Sequence, residues 1–496
     1  MGDNSGDHCD CDGGDIVLTI PEITRVIQED AVSKKKKQAA VGRRYYEAEH
    51  DILDYRLFYF NSDGKLVEDT VRSNIRISHP FFAELVDQEV QYLLSGKEGF
   101  VRSDDPELQT SLDEYFDDEF RAELSETLTD TVVSGFGYMY AYMTEKGRLA
   151  FQYAETRGVI EVRAKDTDDG AAYVVYWYID RMAKSNKKVK RIQVWDDTQT
   201  YFYVQEDDGK IVPDTSEPIN PRPHITYTKG DSGDIFYESF GYIPFFRLDN
   251  NRKQYSGLKP VKDLIDDYDL MACGLSNNLT DFDNPLHVVK GFQGDNLDEL
   301  ATNLRTKKMI GTDSEGGVEV HTVDIPYEAR KTKMELDEKN IYRFGMGFNS
   351  AMVGDGNVTN VVIKSRYALL DLKCNKLEIQ LRKFLKEIIK VVLEEINRTN
   401  DSDYTLKNVY IELEREIMTN ASDNADIELK DAQKRQVDIN TILSLASVLD
   451  NETTLRATCE VLDIDYDEVQ RRIKEQEEKE DLSMFLTDTP DGGDAE

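Results

Sequence analysis

The sequence predicts an α+β fold carried by long helices, and three observations predict it. Apolar residues recur at helical spacing in several long stretches. A block over about 136–247 switches to period two, and long helices then return on either side of a small mixed segment.

The chain has 496 residues, 39% hydrophobic and 10% aromatic, enough for several regions around a substantial core. Its 26 tyrosines and 20 phenylalanines argue against wholesale disorder. The formal net charge of −36 repels a phosphate backbone, so ordinary adhesive nucleic-acid binding is a poor global fit. Cys9, Cys11, Cys273, Cys374 and Cys459 form no regular framework. No apolar run approaches the roughly 20 residues that cross a bilayer, and the N-terminus lacks a secretion pattern, which implies a reduced, intracellular protein without a membrane partner.

Residues 1–15 hold few bulky apolar side chains and read as a mobile tail or, at Cys9-Asp10-Cys11-Asp12, as a metal site, for which two thiols and His8 are an incomplete set. Lys34–Lys37, beside Arg43 and Arg44, reads as a solvated helix face or as a contact to nucleic acid. From Ser78 to Gly96 the residues Phe81, Phe82, Leu85, Val86, Val90 and Leu93 predict a buried amphipathic helix. Leu108, Leu112, Phe116, Phe120, Leu124, Leu128 and Val132 predict one further helix over about 107–134, ending at Ser134-Gly135.

Strands are expected at Gly137–Tyr142, Leu149–Tyr153, Tyr173–Ile179, Arg191–Trp195 and Thr200–Val204. Trp177 and Trp195 lie inside them, as sheet core or as a stacking platform for bases. Asn220-Pro221-Arg222-Pro223-His224 is a rigid turn, because both prolines fix φ. From Leu258 to Phe282 an apolar stripe predicts a long helix ended by Pro285.

Segment 286–325 mixes strands at His287–Val289 and Val318–Val323 with a short helix at Asn296–Arg305. A charged helix over 327–344 leads to a loop studded with Gly345, Gly347, Gly354 and Gly356. Leu370, Cys374, Leu377, Leu381, Leu385, Ile388, Val392 and Ile396 then form one stripe over about 364–398, a helix of about 50 Å at 1.5 Å per residue. A strand at Val409–Leu413 and a helical region at 424–478, broken at Asp450–Thr453, precede an acidic end.

No phosphate-cradling Gly-x-x-x-x-Gly-Lys-Ser/Thr loop, His-Glu-x-x-His or Gly-x-Ser-x-Gly occurs. Gly345-Met346-Gly347 follows a charged helix and not a strand, so a dinucleotide loop is disfavoured. Asp117-Asp118 and Asp266-Asp267 read as solvated helix faces or as magnesium ligands of a nuclease. His8, His50, His79, His224, His287 and His321 give no near pair in sequence. No catalytic or metal residue and no cofactor is expected, and the chain reads as a non-enzyme.

The order of elements resembles the portal, or head-to-tail connector, family of tailed double-stranded-DNA phages. The resemblance rests on Ser78-His79 through Val86-Asp87-Gln88 to Gln91-Tyr92-Leu93, and on Asn220-Pro221-Arg222-Pro223-His224. It continues at Lys262–Asp269, Asn303-Leu304-Arg305 and Tyr367–Lys373, although Thr359-Asn360-Val361-Val362 replaces the Ser/Thr-Gly-x-Ala step of many relatives.

The resemblance implies a flexible segment (1–39), an α/β wing (40–256), stem helices (257–284 and 326–345) and a small α/β clip (285–325). It further implies a tunnel loop (346–362), a long helix with a returning wing strand (363–420), a helical crown (421–480) and an acidic tail (481–496). The implied assembly is a self-associated ring, commonly a dodecamer, at one capsid vertex of the virion, put together in the host cytoplasm. Double-stranded DNA would pass through it, and the terminase large subunit, a head-tail adaptor, scaffolding and major capsid proteins would be its partners. Asn349, Ser350, Met352, Val353, Asn357, Val358 and Lys364 would line the tunnel loop. Lys290, Arg305, Lys307 and Lys308 would be clip cations facing DNA, or ordinary surface residues. The alternative is a capsid scaffold without a channel.

Overall fold

The computed structural model describes residues 18–96, 99–144, 147–163, 170–180, 189–206, 209–228, 235–282, 286–292, 298, 300, 312–321, 326–349, 360–415, 421–445, 449–462, 464–466 and 468–474. The 1–15 tail, most of the Asn296–Arg305 helix and the acidic end lie outside them. The chain divides into one unit of 1–353 with 366–417 and another of 354–365 with 418–496.

The helices are α1 (Ile20–Ala31), α2 (Lys34–Tyr46), α3 (Phe81–Leu93), α4 (Pro106–Tyr115), α5 (Asp118–Ser134), α6 (Lys262–Phe282), α7 (Tyr327–Gly345), α8 (Asn360–Asn400), α9 (Ala421–Leu445) and α10 (Asn451–Leu462). The single helix expected over 107–134 is two. Asp117 takes an extended conformation and its carboxylate accepts from the Phe120 amide at 3.0 Å, so the acid that looked like part of a solvated face caps a new helix. Phe116 turns into a T-shaped contact with Phe120, 4.9 Å between centroids, which repays the break.

The apolar stripe of α8 is buried from Leu370 to Ile396 and forms the spine of the main core. Against it pack α3, α4 and α5, residues of α6 and α7, and an antiparallel sheet in which Phe136–Met143 lies between Phe245–Asp249 and Leu149–Ala154. At 41 residues α8 is about 62 Å long and starts at Asn360, four residues before the expected start. Extending a nucleated helix is cheap, and the Val361-Val362-Ile363 run joins it.

A second sheet orders Ile211–Pro213, Gln199–Gln205, Val189–Trp195, Tyr173–Asp180 and Val159–Val162, all antiparallel. Both of its faces are covered, which explains the unbroken apolar pairs in its strands. Val175 and Val194 face a core with Ile23 of α1, whereas their neighbours Val174 and Trp195 face Phe136 and Tyr138 of the first sheet. Trp195 is core, and half-buried Trp177 carries the Lys190 ammonium 4.1 Å from its ring centroid.

The basic run at the start of α2 is not a uniform solvated face. Lys36 is buried, its Nζ donating to the Val159 carbonyl at 2.6 Å and to the Thr156 carbonyl, with Asp30 at 3.3 Å. Burial lowers its pKa against the pull of Asp30.

Helix α6 begins at Lys262, because residues 257–261 form turns that fit Gly257 against Val132. A strap of residues 73–79 runs along it. The amides of Ser73, Ile75, Ile77 and His79 donate to Asp281 (3.1 Å), Asn277 (2.6 Å), Cys273 Sγ (3.2 Å) and Asp269 (3.0 Å). Two extended residues rise about 6.7 Å and four helical residues about 6 Å, so every second amide meets every fourth side chain.

In the other unit α9 and α10 are separated near Asp450, whose carboxylate caps α10 by accepting from the Thr453 amide at 2.9 Å.

Candidate functional site

The segment joining α7 to α8 is held at both ends by α3. Helix α7 closes with Met346 in the left-handed region at φ 56°. A Cβ on Gly347 would lie 2.2 Å from a terminal methyl of Leu85, a buried α3 side chain, and one on Gly345 would lie 2.6 Å from another, so a larger residue at either position would have to displace Leu85.

Gln88 then clamps the next residue twice: its Nε2 donates to the Phe348 carbonyl at 2.7 Å and its Oε1 accepts from the Phe348 amide at 2.8 Å. The Phe348 ring stacks on Tyr367 of α8 at 4.9 Å, and Tyr367 in turn meets Tyr92 of α3 at 5.6 Å. The Tyr342 hydroxyl donates to Glu84 at 2.5 Å, and burial followed by that carboxylate raises its pKa.

Of the expected tunnel-loop residues, Asn349 donates from Nδ2 to Glu338 Oε1 at 2.9 Å. Ser350, Met352, Val353, Asn357 and Val358 lie outside the described residues, and Lys364 belongs to α8 with its side chain outside them. In the expected clip, Leu286–Phe292 pairs antiparallel with Thr312–His321, a longer second strand than Val318–Val323, with an irregularity between Lys290 and Phe292. Lys290 Nζ stands 2.5 Å from Glu319 Oε1 across the pair. Arg305, Lys307 and Lys308 lie outside the described residues, as do Cys9 and Cys11.

Two histidines far apart in sequence meet on one carboxylate. His50 Nδ1 donates to Asp269 Oδ2 at 2.6 Å and His79 Nδ1 to Oδ1 at 2.7 Å. Burial pushes the Asp269 carboxyl up, but the two histidine bonds outweigh it and hold the group below its ordinary value. His50 is fully buried and stacked on Tyr45 at 4.5 Å, so this trio fastens α6 to the chain around it.

The neighbouring acids are also engaged. Asp266 accepts from Lys262 at 2.7 Å and from the Tyr45 hydroxyl, and Asp267 pairs with Lys333 of α7 at 2.5 Å, so the two acids of this partly exposed helix face are ion-paired. Among the described residues no three His, Cys, Asp or Glu side chains are grouped to hold a metal, and no helix is long and apolar enough to cross a membrane. His224 is wedged between Trp195 and Phe240, and burial lowers its pKa to about 4.

Comparison with known proteins places the sequence in a family. The family model "Phage portal protein, SPP1 Gp6-like" matches residues 28–482. The chain is 28% identical to the portal protein of Bacillus phage SPP1 over 383 residues, which is 77% of this chain and 74% of that one. It is 25% identical to the portal protein of Clostridium phage phiCD119 over 432 residues, 83% of this chain and 90% of the relative. A chain in the solved neck of a native GTA particle, computed with C12 symmetry, aligns at 14% identity and a TM-score of 0.37, covering 78% of this chain and 90% of that chain. The chain belongs to the phage portal proteins, in their SPP1 Gp6-like family.

Proposed function

We propose that copies of the chain close into a ring at one capsid vertex and form the channel through which double-stranded DNA is packaged, retained and ejected. Family membership over residues 28–482 supports the portal reading, and the clamped ends of the α7–α8 segment carry the mechanism. Pinned at Phe348 and Tyr367, that segment is the tunnel loop, and Asn349, Ser350, Met352, Val353, Asn357 and Val358 offer neutral contacts to passing DNA. Ten residues between Asn349 and Asn360 reach at most about 17 Å out and back at about 3.4 Å per residue.

A duplex that must slide should not adhere to its wall. Each copy adds a formal charge of −36, and the channel therefore repels phosphate with brief local grips from Lys364 and from the clip cations Lys290, Arg305, Lys307 and Lys308. In this reading residues 40–256 form the wing, 257–284 and 326–345 the stem, 285–325 the clip and 421–480 the crown. The terminase large subunit supplies ATP hydrolysis and docks on the ring, as does the head-tail adaptor.

Deleting residues 349–358 tests the mechanism. Rings assemble normally and capsids contain no packaged DNA; normal packaging by the deletion variant would refute the loop's role.

A further inference from the structure

Strands Phe58–Phe60 and Leu66–Glu68 pair antiparallel with no third strand among the described residues. Their register puts Phe58, Phe60 and Leu66 on one side and Tyr59 and Val67 on the other, and both sides are exposed. Phe60 is 72% exposed, Leu66 60%, and Val71 just beyond the hairpin 93%. A lone two-stranded hairpin is marginal in water, and contiguous apolar surface of this kind marks an interaction site.

At the root of the hairpin a cavity of about 250 Å³ opens between the strap and α6, lined by Tyr55, Ile75, Leu270, Asn277 and Arg330. Among the described residues no acceptor meets the half-buried Arg330 guanidinium. On the hairpin segment Arg56 and Arg72 are already paired with Glu68 and Asp69, and Asp281 joins the cavity lining, so among the described residues Arg330 is the cation left to be met there. The surface is apolar with one such cation at its root, and the matching partner is apolar and brings a carboxylate.

We propose that the hairpin and its root cavity dock on a second copy of this chain, as one half of a head-to-tail contact, with a carboxylate of the neighbour on Arg330. A head-to-tail ring needs two different patches on every subunit, and a strongly acidic sibling supplies the complement to this one. The inference rests on the ring reading and adds the surface that makes the ring.

The test places a benzophenone amino acid at position 60 of the full-length chain and irradiates the assembled protein. Covalent dimers and longer ladders of the chain itself are the expected result; rings that form but link only within one chain, or only to another protein, overturn the docking. Phe60→Asp with Leu66→Asp should raise the concentration needed for assembly at least tenfold while the circular dichroism spectrum stays that of the wild type. Unchanged assembly by this variant also overturns it. A wild-type chain that remains monomeric would instead remove the ring reading, and the docking with it.

Discussion

Phe348 and Tyr367 stack at 4.9 Å between ring centroids with 19° between their planes, closing the two ends of the segment that leaves α7 and enters α8. The backbone amide of Phe348 is at the same time tied to Gln88 at 2.8 Å. The segment is therefore fixed at Phe348 on one side and at Tyr367 on the other.

That clamp predicts a local effect. An aromatic stack contributes about 0.5–1.5 kcal/mol beyond its buried area. Phe348→Ala should accelerate hydrogen exchange of the amides at 346–349 and 366–368 about tenfold, with little change in the melting of the whole chain. Exchange at wild-type rates would show that the stack does not hold the loop.

Lys36 separates a structural lysine from a nucleic-acid contact. It donates to two backbone carbonyls and pairs with Asp30 while buried. Lys36→Ala should lower unfolding stability by about 2–3 kcal/mol, since hydrogen bonds from a charged group are the costly ones to lose. A surface lysine would change it by less than about 0.5 kcal/mol in denaturant titration.

Asp269 gives a pH dependence with a defined sign. Its folded pKa is depressed by His50 and His79, so its contribution is fully present above the ordinary value of 3.8 and is lost as pH falls through the lower folded value. Asp269→Asn should cost about 3 kcal/mol at pH 7, by breaking a buried pair, and should flatten the acid limb of the stability curve. A variant whose stability between pH 5 and pH 3 falls as steeply as the wild type would contradict this.

What the sequence showed and what it hid follow from range. The α8 stripe was legible because a buried helical face must repeat every three to four residues, and Leu370 through Ile396 are buried as that pattern requires. The break at Phe116-Asp117 was hidden because the apolar spacing continues across it, although Asp117 ahead of two more acids is a helix-start signal. The meeting of His50 and His79 on Asp269 could not be seen, since only the tertiary fold brings three distant segments together. The same holds for Gln88: it stands in one of the strings that resembled the family, but its grip on Phe348 depends on how α3 packs against α7. For Lys290, only the strand register shows its diagonal neighbour: Gly317 lies opposite it and Glu319, opposite Val288, comes within 2.5 Å of its ammonium.

The central claim is that copies of this acidic chain close around a hole wide enough for a DNA duplex. Imaging the purified full-length protein end-on by electron microscopy tests it most directly. The account predicts closed rings with an open axial channel; a population that stays monomeric at every concentration, or closed particles without a hole, would contradict it.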